Sequence, residues 1–370
     1  MEKKVFIAIG VALAVAIGIL VALPGEPQGQ KTTIAPQKNE KLGLVINPPS
    51  QQVTVDKIRQ VYSQAAESGA GRTNLYLFWN HIEPEQDKYN WKDTDILMNL
   101  NQNNGMKSTL YFSIVNGRTL GPYPEWLGTP GFGTLLETKA SKTIDNVLTR
   151  YEGQIDTVII GAELDSYFND ADGRVDLYKR SFQNIYDSIK KNHPNVKIGN
   201  AFSLNNVLNK NMTKYVTDLA DTGDFVAFTY LPVDRINQID KSPLQAREEM
   251  QKALDMVPNN QVGFFETSWS TASDIGGSEQ NQDEFIKQAY DFYRQNKSKI
   301  EFFNWYRQYE RPEGSCAIDQ KFLEGKVSLT NDDKYVRQRL GSYVCSAGLL
   351  KADGSAKSGW QELKTQIGSS

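Results

Sequence analysis

The stretch DTVIIGAELD, residues 156–165, decides the fold. It is an apolar run, rich in Val and Ile, that ends in a carboxylate, Glu163, which is typical of a buried parallel strand whose end reaches a polar face. A second stretch of the same design, QVGFFETSW at residues 261–269, contains Glu266. In an eight-stranded α/β barrel, the residues just past the carboxyl ends of the strands share one pocket. Two glutamates in such positions can flank a single bond.

The number of similar runs predicts the barrel. They recur about every 37 residues on average, which accommodates one strand, one helix and two loops, and eight such units make a (β/α)8 barrel. A doubly wound open sheet is the alternative, but it would place a glycine-rich phosphate turn after the first strand, where this chain has NPPS at residues 47–50. The runs begin near Leu44, Thr73, Lys107, Asp156, Val196, Asp224, Gln261 and Ile300.

Amphipathic segments between the runs supply the helices. One carries apolar residues at i, i+3, i+4 and i+7, and another carries a similar stripe. Such stripes indicate faces that pack on the barrel rather than faces that bind a cofactor. The stripes are Ile144, Val147, Leu148, Tyr151 and Tyr178, Phe182, Ile185, Ile189.

Length and charge narrow the function. A chain of 370 residues holds one barrel of the usual size with appendages. The net charge is −3, from 41 basic and 44 acidic residues spread along the chain, so no nucleic acid or other polyanionic partner is expected. We also expect no cofactor. The only histidines, His81 and His193, lack the spacing of a metal site.

The N-terminus reads as a targeting segment. Lys3 and Lys4 precede 19 uncharged, mostly apolar residues, 5–23, a stretch long enough to span a bilayer as a helix. Residues 1–23 are therefore a signal anchor or a cleaved signal peptide, and either one places the rest of the chain outside the cytoplasm, attached to the membrane or secreted. Residues 24–41 are rich in Pro, Gln, Lys and Gly and predict a disordered linker. The barrel is assigned to residues 42–370.

The expected location outside the cytoplasm bears on the two cysteines. Cys316 and Cys345 both follow the eighth run, and an oxidising compartment favours a disulfide between them. Two buried free thiols are the alternative.

The order of the motifs resembles that of the retaining (β/α)8 glycoside hydrolases of clan A. In that clan the acid/base glutamate ends strand four and the nucleophile ends strand seven, and Glu163 and Glu266 lie on the fourth and seventh runs. The resemblance extends from Leu42 to about Lys364. It also rests on WNHIEPE and YNW at residues 79–85 and 89–91, on ETSWST at 266–271, and on GLL, DG and KSGW at 348–350, 353–354 and 357–360.

The resemblance implies a two-glutamate double displacement. Ionised Glu266 would attack the anomeric carbon, and protonated Glu163 would assist the leaving oxygen. A retaining pair places its carboxyl groups about 5–5.5 Å apart, whereas an inverting pair needs about 6.5–9.5 Å. Tyr230, which ends the sixth run, would donate a hydrogen bond to Glu266 and keep it ionised.

Further residues are expected to contact the sugar. Trp305 matches the clan's sugar platform, Trp79 and Asn80 end the second run and would line the pocket, and Trp269 is a candidate for an outer subsite. Core packing is the alternative for Trp305 and for most of the aromatic residues, and Trp269 could equally anchor its loop.

One departure concerns the substrate. Clan members usually carry Asn before the acid/base glutamate, where it contacts the sugar 2-hydroxyl, and this chain has Ala162. Some divergent members, including certain endo-β-mannanases, have a small residue there. The resemblance therefore favours a β-mannan-like polymer, as in an endo-β-mannanase, with an endo-β-galactanase as a further possibility. Two other functions stay open, namely an inactive glycan-binding barrel and a component of the cell envelope.

Overall fold

The structure is a computed structural model that describes residues 38–50, 54–169, 173–312, 315–316 and 334–370. The signal anchor or signal peptide expected at residues 1–23 lies outside the described residues, as does most of the expected linker. Within the described ranges, no helix combines the length and apolar character needed to cross a membrane.

One sheet closes into a barrel of eight parallel strands. Its strands are β1 (Asn39–Leu44), β2 (Ala70–Leu77), β3 (Lys107–Asn116), β4 (Thr119–Leu120), β5 (Ile155–Ala162), β6 (Lys197–Ser203), β7 (Phe225–Tyr230), β8 (Gln261–Thr267) and β9 (Ile300–Trp305). The short β4 pairs antiparallel with the end of β3 and lies outside the barrel. The other eight strands pair in chain order, and β9 closes the ring on β1. The predicted (β/α)8 barrel is confirmed.

The first strand begins earlier than predicted. The run was expected to begin near Leu44, but β1 ends there and starts at Asn39, inside the segment assigned to the linker. The first residues of β1 are polar. They contact the neighbouring strands by backbone pairing and side-chain hydrogen bonds rather than by apolar packing. Asn39 pairs with Ala70 of β2, and Lys41 Nζ donates to the carbonyl of Ile300 at 2.7 Å. Hydropathy does not report such contacts, which is why the prediction missed them.

Helices fill the gaps between strands, and their starts carry local signals. Thr54 caps the first helix by accepting from the Lys57 amide, and Ser242 with Gln245 forms a capping box on a later one. The helices are α1 (Val55–Glu67), α2 (Trp79–Ile82), α3 (Lys92–Asn103), α4 (Thr134–Arg150), α5 (Leu164–Phe168), α6 (Arg174–Asn192), α7 (Leu204–Asn209), α8 (Thr213–Asp218), α9 (Pro243–Met256), α10 (Glu279–Gln295), α11 (Lys334–Cys345) and α12 (Ser358–Gly368).

Two hydrophobic cores lie on opposite faces of the sheet. The larger one packs between the strands and the surrounding helices and includes the apolar stripes predicted on α4 and α6. The smaller one fills the barrel interior with Phe78, Tyr111, Ile159, Ala162, Ala201, Phe225, Ala227, Phe265 and Phe302. Because successive side chains of a strand point to opposite faces, a shift of one residue along a strand moves a side chain from the interior to the helical layer.

The two cysteines form the expected disulfide. Cys316 and Cys345 are bonded, with their Cα atoms 5.6 Å apart. The bridge attaches the end of α11 to the segment that follows β9, where the Arg311 amide also donates to the carbonyl of Cys345 at 3.2 Å. The disulfide therefore holds part of the chain that borders the barrel mouth.

Candidate active site

Glu163 stands directly after β5 at the carboxyl end of the barrel. Its backbone is left-handed, with φ 54° and ψ 42°, and α5 begins at the next residue. Such a conformation is uncommon for a residue other than glycine and is often found at functional sites. The side chain is 6% exposed. A Cβ atom on Gly117 would come within 3.2 Å of Glu163 Oε2, so the glycine leaves room for the carboxylate.

A bulge in β8 turns Glu266 into the barrel. Phe264 belongs to the outer core, so regular alternation would place Phe265 inside and Glu266 outside. The register with β7 instead shifts by one residue between Phe264 and Glu266, and both Phe265 and Glu266 face the interior, where the Tyr76 hydroxyl donates to Glu266 Oε1. An extra residue of this kind re-aims the side chains that follow it.

Burial controls the charge of Glu266. The side chain is fully buried, and this burial raises its pKa from 4.5 to about 8. The hydrogen bond from Tyr76 and the positive charge of Arg307 oppose the rise, whereas the negative charge of Glu163 adds to it. Burial therefore disfavours the ionised form of Glu266 in the free protein, because desolvation outweighs the hydrogen bond from Tyr76, and the role of Glu266 as the ionised nucleophile stays a prediction. The two carboxyl groups are nevertheless close enough to interact, and the expected separation of about 5–5.5 Å stays a prediction.

Tyr76, rather than Tyr230, holds Glu266. The hydrogen bond expected from Tyr230 to Glu266 is wrong, because the Tyr230 hydroxyl donates to Glu249 Oε2 on α9 at 2.6 Å. Tyr230 lies in the outer core, where its ring packs on Phe285 of α10. Strand alternation explains the difference, since Ala227 of the same strand faces the interior and Tyr230 lies three residues further on.

The expected tryptophan platforms are in the helical layer. Trp305, Trp269 and Trp79 have no exposed surface and belong to the outer core. Trp305 and Trp269 pack against the ring of Phe285, at centroid distances of 5.9 and 5.2 Å. Trp79 Nε1 donates to Glu83 at 2.9 Å. In this conformation the core-packing alternative describes all three, because a ring without accessible surface cannot stack on a sugar.

Two asparagines near the mouth have unused polar atoms. Asn80, on α2, is partly exposed, and its buried Oδ1 has no hydrogen-bond partner among the described residues. Its role in lining the pocket stays a prediction. Asn116 is 1% exposed, and neither its Nδ2 nor its Oδ1 has a partner in the described part of the chain.

The position of Asn116 relates it to Ala162. The two residues are paired in register at the ends of β3 and β5, and residues paired in a parallel sheet present their side chains on the same face. Because Ala162 belongs to the interior core, Asn116 also faces the interior, one residue from the position of Glu163. An amide is thus present beside the alanine that replaces the clan's asparagine.

Sequence reasoning missed Tyr76, Asn116 and Arg307. A signal existed for the first, because Asn74 and Tyr76 alternate with leucines in the second run, which places both polar side chains on one face of the strand. In the structure the Asn74 amide donates to the carbonyl of Phe265 at 2.9 Å. Arg307 follows β9 and had no such signal. For metals, the described residues contain no group of three or more His, Cys, Asp or Glu side chains suited to hold an ion.

The fold is shared with solved glycoside hydrolases. A GH5_18 variant from Bifidobacterium longum, in complex with Manβ1-4GlcNAc, aligns with a TM-score of 0.66 at 12% identity over 90% of this chain and 78% of that chain. An exo-β-1,4-mannosidase from an Opitutaceae bacterium aligns with a TM-score of 0.63 at 14% identity over 89% of this chain and 59% of that one.

A third similar structure is a family 39 glycoside hydrolase from Bacteroides cellulosilyticus, with a TM-score of 0.62 at 15% identity over 89% of this chain. The chain spans 64% of the length of that protein. No family model matches the sequence, and no curated protein matches it. The structural similarities confirm the expected resemblance to glycoside hydrolases at the level of the barrel fold.

Proposed function

We propose that this chain is an extracytoplasmic retaining glycoside hydrolase that acts on a β-linked oligosaccharide or polysaccharide. The observation that carries the proposal is the pair Glu163 and Glu266. They lie at the carboxyl ends of β5 and β8, both are buried, and the charge of one raises the pKa of the other. Two interacting carboxyl groups at the mouth of a barrel are the working groups of a glycosidase.

The first chemical step forms a covalent intermediate. The Glu266 carboxylate attacks the anomeric carbon while Glu163 gives its proton to the glycosidic oxygen, so the bond to the leaving alcohol breaks as the ester to Glu266 forms. The hydrogen bond from Tyr76 and the charge of Arg307 both favour ionised Glu266. The positive charge that develops on the sugar in the transition state favours it further.

The second step releases the sugar. Glu163, now a carboxylate, accepts a proton from a water molecule as the water oxygen attacks the anomeric carbon, and the Glu266 carboxylate leaves. The two displacements together retain the configuration at the anomeric carbon. Because Glu266 has no exposed surface in this conformation, substrate entry requires side chains at the mouth to move.

For the substrate we propose a β-mannoside. Mannose has an axial 2-hydroxyl, which Ala162 cannot contact, and the unpartnered amide of Asn116 lies on the neighbouring strand. We assign Asn116 the role of binding this hydroxyl in place of the asparagine that the clan carries at the position of Ala162. The complex of the GH5_18 variant with Manβ1-4GlcNAc and the exo-β-1,4-mannosidase support a mannoside.

The proposed location is outside the cytoplasm, on the membrane or secreted. The apolar stretch at residues 5–23 supports an anchor or signal, and the disulfide supports an oxidising compartment. Protease added to intact cells should degrade an anchored barrel, and a secreted one should collect in the medium. A barrel protected inside the cells would contradict the proposal.

An inactive glycan-binding barrel is the second candidate. Ala162 favours it, and so does the full burial of Glu266, which raises the pKa of this carboxyl and disfavours the ionised form that a nucleophile needs. It differs from the enzyme in one result, because the wild type would bind glycans and cleave none of them.

The decisive experiment compares two variants of the full chain, purified in detergent, on aryl β-mannosides. Glu266→Ala should abolish turnover of every substrate. Glu163→Ala should lower the rate of turnover about 10²–10⁴-fold on substrates with a poor leaving group and little on those with a dinitrophenyl leaving group. The reason is that the need for the general acid depends on the basicity of the leaving group. Added azide should give a β-mannosyl azide from Glu163→Ala and an α-mannosyl azide from Glu266→Ala.

Glu249→Ala is the matched control. Glu249 also accepts a hydrogen bond from a tyrosine, but on the outer face of the barrel, so its loss should leave the leaving-group dependence of the wild type unchanged. If Glu163→Ala and Glu266→Ala both keep wild-type rates on all leaving groups, the assignment of the pair is wrong.

A further inference from the structure

Arg307, two residues after β9, has a buried guanidinium with an unused edge. Its side chain is 1% exposed, and Nη1 donates to the Tyr306 hydroxyl at 3.2 Å. Nε and Nη2 have no hydrogen-bond partner within the described ranges. These two nitrogens form one side of the planar guanidinium and present their N–H groups as a fork. Buried donors without partners cost free energy, so this edge is suited to a ligand.

Arg307 and Tyr76 line the same cavity. It lies between the ends of β1 and β2, helix α1 and the segment after β9, and its polar wall consists of Asn47, Asn74, Tyr76, Tyr306 and Arg307. Tyr76 is the residue whose hydroxyl donates to Glu266. Tyr76 thus contacts both this cavity and Glu266, and Arg307 lies close enough to Glu266 for its charge to lower the pKa of that carboxyl.

A second arginine makes this region electropositive. Burial lowers the pKa of Arg311 to about 10, and the nearby charge of Arg307 contributes to this shift. The charges of both arginines oppose the rise that burial causes in the pKa of Tyr306. In the part of the chain that the structure describes, neither arginine forms an ion pair with a carboxylate. Among the described residues, the two cations therefore have no carboxylate partner in contact.

We propose that Arg307 binds a carboxylate on the sugar chain, so that the substrate is an acidic β-linked glycan that contains uronic acid. The fork of Nε and Nη2 matches the two oxygens of a carboxylate, and Arg311 adds a second positive charge. The inference rests on the proposed function, because it names the substrate class of the same site.

Glu266 does not fill this role. Arg307 lowers its pKa through space, but Glu266 Oε2 and the Arg307 edge are both without hydrogen-bond partners among the described residues. A cation that served only to stabilise ionised Glu266 would act by charge alone, and its two-donor edge would not need to be left without partners among the described residues. The open edge therefore points to a ligand that is absent from the free protein.

The test measures binding, so that it does not depend on turnover. Mannotetraose and tetramannuronate share β-1,4 linkages and the manno configuration and differ at C6, which is a hydroxymethyl group in one and a carboxylate in the other. Calorimetry on the full chain in detergent, with Glu163→Gln to prevent hydrolysis, should give on the order of 10- to 100-fold tighter binding of tetramannuronate. The preference should decrease as salt is raised.

The variants identify the residue. Arg307→Met should abolish the preference, and Arg307→Lys should retain part of it, because an ammonium keeps the charge and loses the fork. Arg311 is only half-buried, so Arg311→Met is less prone to misfold than Arg307→Met. This variant should weaken the preference for tetramannuronate. Arg339→Met is the matched control, because Arg339 is also buried beside a tyrosine, but its Nε and Nη1 donate to Ile236, Asp274 and Tyr335. Only its Nη2 lacks a partner among the described residues, so it presents no free two-donor fork.

Each outcome has a meaning. Equal binding of the two tetrasaccharides, absence of binding to both, or a preference that survives in Arg307→Met would overturn the inference. Hydrolysis of neutral mannan without a preference for the acidic chain would leave the proposed function intact and remove the acidic substrate. Tight, Arg307-dependent binding of tetramannuronate without any hydrolysis by the wild type would leave the inference intact and remove the enzyme.

Discussion

Two glutamate–tyrosine pairs lie on opposite faces of the same barrel wall. Inside, the Tyr76 hydroxyl donates to Glu266. Outside, the Tyr230 hydroxyl donates to Glu249 at 2.6 Å. The outer pair is neutralised by Lys241, whose Nζ lies 2.9 Å from both carboxylate oxygens. The inner carboxyl has one hydrogen bond and an unpartnered Oε2 among the described residues.

The difference separates a structural pair from a chemical one. A carboxylate with an ammonium and a phenol is satisfied, and it anchors α9 to β7. A buried carboxyl without a cation in contact keeps its proton, and its pKa rises to about 8. Groups whose pKa is shifted by burial beside a second carboxyl are candidates for chemistry. A tyrosine–glutamate pair is therefore structural on the outer face of the barrel and a candidate for chemistry on the inner face.

The largest effect is expected when the inner carboxyl is made neutral. Glu266 has a folded-state pKa of about 8 against 4.5 for the ordinary group, so its contribution to stability is fully present below pH 4.5 and is lost as pH rises to about 8. Within that pH window, the free energy of unfolding of the wild type should decrease by roughly 1.4 kcal/mol per pH unit because of this group. Glu266→Gln has no group that titrates at this position, so its free energy of unfolding should not show this decrease. At pH 8.5 it should be more stable than the wild type by a few kcal/mol.

Chemical unfolding of both proteins across pH 5–9 measures this difference. Parallel stability curves for wild type and Glu266→Gln would mean that Glu266 is not buried in its protonated form, and the contrast with Glu249 would disappear.

Removing the phenol from each pair should next distinguish the two faces. Tyr76→Phe deletes a hydrogen bond that lowers the pKa of Glu266, so that pKa should rise above 8. Because the reaction needs ionised Glu266, the pH range over which kcat/KM increases should move to higher pH. The loss of a hydrogen bond to a charged group should reduce kcat/KM on the order of 10- to 100-fold at pH 7. Tyr230→Phe should change kcat/KM by less than about twofold and lower Tm.

The pH–rate profiles of the two variants on an aryl β-mannoside provide the measurement. Equal losses of activity would show that the outer pair also supports the reaction.

A smaller effect is expected from Asn116, an inward-facing side chain on β3. If its amide binds the sugar 2-hydroxyl, Asn116→Ala should lower kcat/KM about tenfold on an aryl β-mannoside. On the corresponding 2-deoxy glycoside the variant and the wild type should react at the same rate, because the hydroxyl is absent. A tenfold loss on both substrates would indicate a structural role for Asn116 and would return weight to the inactive barrel.

The expectations that succeeded rest on local pattern. Apolar β-rich runs near Thr73, Lys107 and Gln261 became strands because the hydropathy of a strand buried on both faces is continuous. The expectations that failed concern whether a side chain points to the barrel interior or to the helical layer. Tyr230 and Trp305 end strands as expected, yet both lie in the outer core, because the period of two along a strand places them there.

The sequence by itself predicted the barrel, the helical stripes and the placement of Glu163 and Glu266 at strand ends, and it favoured the pairing of Cys316 with Cys345 over two free thiols. All of these follow from residue type, order and spacing, which are properties of the chain alone. Only the tertiary structure decided that a bulge turns Glu266 inward, that Tyr76 is its partner and that two nitrogens of Arg307 lack a partner among the described residues. These depend on strand register and on burial, which sum contacts between residues far apart in the chain.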